Sequence, residues 1–147
     1  MKRFKRLKNL AEYLDAFSIS DPDLHALMTT AQADATSRLL RLSGVQLLAA
    51  RPEERQTGDT DTFTATLSTA FFVVEKGLGA LATPEKERDQ FRRLLEVAGK
   101  VMEKVSDDAT SGTCGLLSGL SIASVEIVPE ASIFGGWLGY SIEINFE

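Results

Sequence analysis

Phe4, Leu7, Leu10, Leu14 and Phe17 recur every three or four residues, a spacing that predicts an amphipathic helix over about residues 3–18 whose apolar stripe packs on the rest of the chain. Ser20-Asp21-Pro22-Asp23 then supplies a side-chain acceptor, a proline suited to a first helical position and an acid that favours the positive helix end. These signals predict a second helix striped by Leu24, Leu27, Met28, Ala31 and Ala35, extended by Leu39 and Leu42 and stopped by Ser43-Gly44.

The period then changes. Residues 45–50 form a short apolar run, residues 51–61 read as a polar loop rich in Pro, Gly and Asp, and residues 63–73 alternate. Phe63, Ala65, Leu67, Phe71 and Val73 share one face, with Thr69 the exception, and Thr64, Thr66 and Ser68 share the other. This is the pattern of a half-buried strand, paired with residues 45–50 as a long-looped hairpin. Gly77 and Gly79 end it, and Thr83-Pro84-Glu85 opens a helix with Phe91, Leu94, Leu95, Ala98, Val101, Met102 and Val105 on one face. Residues 108–119 are turn-rich. Residues 122–128 read as a strand that Pro129 ends or displaces to an edge. Gly135-Gly136 marks a turn or bulge. In the final strand Leu138, Tyr140, Ile142, Ile144 and Phe146 face one way, and Gly139, Ser141, Glu143 and Asn145 the other.

The resulting order is α-α-β-β-α-β-β, with no repeat and no interdomain linker. Strands joined as hairpins with helices between the pairs imply an α+β fold: an antiparallel or mixed sheet of about four strands with its helices packed on one face, in a single domain spanning 1–147. Alternating rather than uniformly apolar strands argue against a parallel sheet covered on both sides.

Composition narrows the class. The chain has 147 residues, 44% hydrophobic and 25% charged, enough for one domain with a real core. One Cys, one His and no apolar run near 18 residues exclude a disulfide framework, a His/Cys metal site and a transmembrane helix. Lys2, Arg3, Lys5, Arg6 and Lys8 place +5 in the first eight residues and leave −10 on the other 139; beyond Lys104 there are six acids and no base. Such a basic end can meet nucleic acid, an anionic lipid surface or the acidic region of a second copy, or simply be solvated. The start lacks a secretory apolar core, so the expectation is a cytoplasmic protein.

Catalytic signals are absent. His25, the single histidine, is expected on the second helix, and Cys114 sits in a Ser/Gly-rich stretch with no partner in sequence to make a nucleophile and base pair. Asp59 with Asp61, and Asp107 with Asp108, lack the spacing of a calcium loop and read as turn formers. Gly112, Gly115 and Gly119 fit neither a phosphate loop nor a dinucleotide motif. Lys86, Arg88, Arg92 and Arg93 alternate with Glu85, Glu87, Asp89 and Glu96, a solvated helix face and not a nucleic-acid patch. No enzyme, cofactor, metal or membrane is expected. Gly135-Gly136-Trp137-Leu138-Gly139-Tyr140 is either an interface anchor or a corner where glycine bends the backbone and an aromatic covers the gap.

The alternating segment at 62–75, the helix at 84–105, and the strand at 124–129 followed by Gly136-Trp137-Leu138-Gly139-Tyr140-Ser141-Ile142-Glu143-Ile144 together resemble the small tail-terminator and head-tail completion (neck) proteins of tailed phages and related contractile particles. The resemblance covers about residues 21–147; the helix at 3–18 is additional to the shortest members. It implies a virion structural protein, assembled in the cytoplasm, that forms a ring, usually of six copies, at the end of a tail tube and contacts tube and connector proteins. No catalytic residue is carried over. Expected self-association contacts are Lys2, Arg3, Lys5 and Arg6 at the basic end, Glu53, Arg55 and Asp59 in the 52–62 loop, and Trp137 and Tyr140. The competing readings are a cytoplasmic α+β module that binds a protein or ligand, and a small enzyme using Cys114 or an Asp pair.

Overall fold

The computed structural model of the chain describes residues 4–21, 23–59, 62–111 and 115–147, with the backbone alone at 62 and 63. Its elements run α1 (Lys5–Asp15), β1 (Ala26–Thr29), α2 (Gln32–Leu39), β2 (Gln46–Ala50), β3 (Glu53–Asp59), β4 (Thr62–Lys76), α3 (Pro84–Thr110), β5 (Ile122–Ile133) and β6 (Trp137–Phe146), with short 3-10 turns at Gly79–Leu81 and Gly115–Leu117. The fold is α+β. Its mixed sheet has six strands in the order β1-β2-β4-β6-β5, and β3 pairs with β4 beside β2.

The 15-residue β4 is the axis of the molecule. Its second half pairs antiparallel with β2 (Leu47 opposite Val73), its first half pairs with β3 (Glu53 opposite Ser68 through Asp59 opposite Thr62), and β6 lies along its other side from Leu67–Phe146 to Lys76–Trp137. The main core lies on one side of this sheet. There α1 contributes Leu10 and Leu14, α3 contributes Leu94, Ala98, Val101 and Val105, and the strands contribute Leu47, Leu67, Phe71, Val73, Ile142, Ile144 and Phe146. Phe17, just after α1, packs against Phe71 with ring centroids 4.8 Å apart and the rings tilted by 46°. Burial of this stripe at 3.6-residue spacing is what holds α1 and α3 in place.

The opposite side holds a smaller core of Ala35 and Leu39 from α2 against Leu48, Val74, Phe134 and Trp137. Adjacent strand residues point to opposite faces, so Leu47 and Leu48, or Val73 and Val74, serve different cores. The helices therefore do not all pack on one face as expected: α1 and α3 take one side and α2 the other.

Four further expectations are corrected. Residues 26–29, expected inside a helix, form β1, which pairs parallel with β2. Asp21 does cap the preceding turn, accepting from the Asp23 N–H at 3.1 Å, but the turn leads into a strand because Ala26 and Met28 bury against the main core. His25 accordingly sits in an isolated bridge to Ser18 and not on a helix. Residues 53–59, expected as loop, are a strand whose side chains bury on neither face and so leave no hydrophobic alternation to read. Leu95, expected on the packed stripe of α3, is 47% exposed.

The start of α3 follows its signals: the Thr83 hydroxyl accepts from the Lys86 N–H at 3.2 Å and Pro84 is the first helical residue. Gln90, 1% exposed, ties the helix to the end of β4, donating to Glu75 Oε1 at 2.7 Å and to the Lys76 carbonyl at 3.0 Å. Pro129 sits within β5 at the sheet edge, one of the two placements expected for it.

Candidate functional site

The α2 side of the sheet is covered only toward the end where β4 finishes. Beyond Phe72 the outward positions of β4 are Thr64, Thr66, Ser68 and Ala70, and those of β6 are Ser141, Glu143 and Asn145. Of these, Thr66, Ser68, Glu143 and Asn145, with Glu53, Glu54, Arg55 and Gln56 of β3, border an open groove of about 1000 Å³. Polar groups on this face of the sheet are partly knitted together: the Thr57 and Thr64 hydroxyls are 3.1 Å apart, Asn145 Nδ2 donates to Ser124 Oγ at 2.9 Å, and Ser141 Oγ donates to Glu130 Oε1 at 3.2 Å. Glu126 of β5 stands directly opposite Glu143 of β6. Like charges in that relation destabilise a sheet, and β5 and β6 contain no Lys or Arg to offset them.

Two elements extend past the cores. The first is the end of the β3–β4 hairpin. Pairing of β4 with β6 begins at Leu67, so residues 62–66 hydrogen-bond to β3 alone among the described strands. At about 3.3 Å per residue this two-stranded arm reaches some 16 Å beyond the third strand. The second is β5. It pairs with β6 on one edge and with no described strand on the other, and nearly every residue from Ala123 to Pro129 is exposed. Val125, Ile127 and Val128 are 39%, 44% and 37% exposed.

The expected contact residues fall into separate places. Glu53, Arg55 and Asp59 lie exposed on the arm strand. Lys5 is exposed on α1, while the half-buried Arg6 donates through Nη2 to the Gly119 carbonyl at 3.0 Å. Lys2 and Arg3 lie outside the described residues. Trp137 is 3% exposed in the smaller core and offers no surface to a partner; the positive φ values of Gly135 (80°) and Gly136 (100°) make the bend it covers. Tyr140 is half-buried, its ring edge-on to Phe91 at 5.8 Å. The described contact candidates are therefore dispersed over both faces, and nothing among the described residues brings them into one patch.

Of the groups weighed for chemistry, Asp108 accepts from the Tyr13 hydroxyl at 2.6 Å and pairs with Lys104 at 3.2 Å, which is a structural use. His25 is exposed, and Cys114 and Asp61 lie outside the described residues. Among the described residues no three His, Cys, Asp or Glu side chains gather where they could hold a metal ion, and no helix is long and apolar enough to cross a membrane. An edge placement was one of the two expected for the Pro129 strand; what the sequence reading missed is that β5 is exposed on both faces, and its signal was the run Val125-Glu126-Ile127-Val128, β-branched on both faces where a half-buried strand alternates.

No protein-family model matches this sequence, no curated protein matches it, and no solved structure matches it.

Proposed function

We propose that the chain is a structural component of a phage-like particle, a tail-terminator or head-tail joining protein that associates with its own copies into a ring at the end of a tail tube and contacts the tube and connector. The observation that carries this reading is the β3–β4 arm. An isolated two-stranded ribbon is at best marginally stable in water, and no described side chain of this one is buried or belongs to either core. A neighbouring copy that receives the arm supplies what the monomer lacks. Arm and recipient surface are different patches of the molecule, so the contact is head-to-tail, the kind that closes into a ring when the rotation allows. The separation of a basic α1 from the acidic β5–β6 region supports the same geometry.

The test is the mass of the purified protein by light scattering over a concentration series at low and moderate salt, beside a variant whose residues 55–66 are replaced by Asn-Gly. That two-residue turn recloses the hairpin from Glu54 to Leu67 without touching either core. The expected result is a discrete species near six copies for the full chain and a folded monomer for the variant. Unchanged assembly without the arm removes the arm from the interface. A strict monomer with the arm intact, and no capping of tube ends in electron micrographs, favours the alternative of a protein-binding module with no particle role.

A further inference from the structure

We propose that the free edge of β5 is a docking strip for an extended segment of another protein that carries Lys or Arg and β-branched apolar residues in alternation, added as a further strand to the sheet. This goes beyond the ring. A 12-residue edge strand with unpaired backbone groups and exposed Val125, Ile127 and Val128 is a template for strand addition, and natural sheets cover or blunt such an edge. Here both faces of the strand are open as well.

The occupant's chemistry follows from the charge. Glu126 and Glu130 lie on one face of β5, with Glu143 opposite Glu126, and Val125 and Ile127 lie on the other. A second β5, added antiparallel, brings Glu126 and Glu130 against acids of its own kind. The β3 edge of another copy presents Glu53, Glu54 and Asp59 against the single Arg55, and β1 has only four residues, mostly buried. The chain's own edges thus repel or fail to match β5, whereas a basic strand neutralises Glu126 and sets its apolar residues beside Val125 and Ile127. Pro129 offers no N–H, which confines the added pairing to the stretch before it.

The probe is a short peptide alternating Lys and Val, with a control of equal charge in which two Val are replaced by Pro. Binding is read by fluorescence anisotropy at moderate salt and located by hydrogen exchange. The expected result is binding about tenfold tighter than the control, new protection of β5 amides between Ser124 and Val128, and on the order of tenfold loss in Glu126→Lys. Glu126 is exposed, so that variant folds, and retained protection in the cores confirms it. Equal binding of the two peptides, no binding of either, or binding without new protection in β5 overturns the proposal. Concentration-dependent protection of β5 without peptide also overturns it, by showing that a second copy takes the edge.

Discussion

Gly139 and Gly99 show how one residue type has opposite roles at two sites. Gly139 has φ 154° near the start of β6, and a Cβ there would overlap the Val73 carbonyl oxygen of the neighbouring strand. Gly139→Ala is expected to destabilise the fold by about 2 kcal/mol or more, measured by urea unfolding, because both backbones must shift. Gly99 lies inside α3 with open space around its Cα, so Gly99→Ala is expected to stabilise by about 0.5–1 kcal/mol in the same assay. Glu126 is a third case. Its opposition to Glu143 puts strain on the sheet, and Glu126→Lys converts repulsion into attraction, with an expected gain of a few tenths to about 1 kcal/mol. The variant that weakens partner binding should therefore be the more stable protein.

At the scale of elements, stability is unevenly distributed. The second half of β4 lies between β2 and β6 with a core on each face, whereas residues 62–66 have only β3. Native-state hydrogen exchange is expected to show the amides of β3 opening at low free energy while those of Val73 and Ile142 approach global stability. Equal protection along β4 would mean that the arm is held by something other than β3, such as a neighbouring copy. The β3 half of the arm eludes periodicity for a physical reason, whereas α2 lies inside the helix expected to stop at Ser43-Gly44, with its buried Ala35 and Leu39 on the expected stripe. A strand that buries no side chain has nothing to alternate, and what no local pattern announces for α2 is that Ala35 and Leu39 face a second core on the far side of the sheet. The long α3 was legible because Thr83, Pro84 and a stripe of buried residues all lie within one continuous element.

For the whole molecule the issue is how a small domain with charge sorted to different regions associates. If copies meet through Lys5 and Lys8 of one and the acidic β5–β6 region of the next, the sedimentation or scattering mass should fall as salt rises from low to moderate, since contacts between exposed charges are screened over about 10 Å at 0.1 M. Lys5→Glu with Lys8→Glu should abolish assembly at low salt while leaving the folded monomer intact, because both side chains are exposed. Salt-independent assembly that survives this reversal would assign the contact to the arm alone.

Local order was the sequence's to determine. The spacing of Phe4 to Phe17, the Thr83-Pro84 start of α3, and the alternation through β4 and β6 follow from propensity and from which side chains leave water, and each is decided within a dozen neighbouring residues. Tertiary structure decided what depends on partners distant in sequence. Residues 26–29 became a strand because β2 offered them a parallel edge, and residues 53–59 did so because β4 runs on beyond β6. Trp137 was buried because α2 crosses to the far side of the sheet. The exposure of β5 belongs to the same class: an edge is defined by the strand that is missing beside it, and no stretch of sequence carries that information by itself.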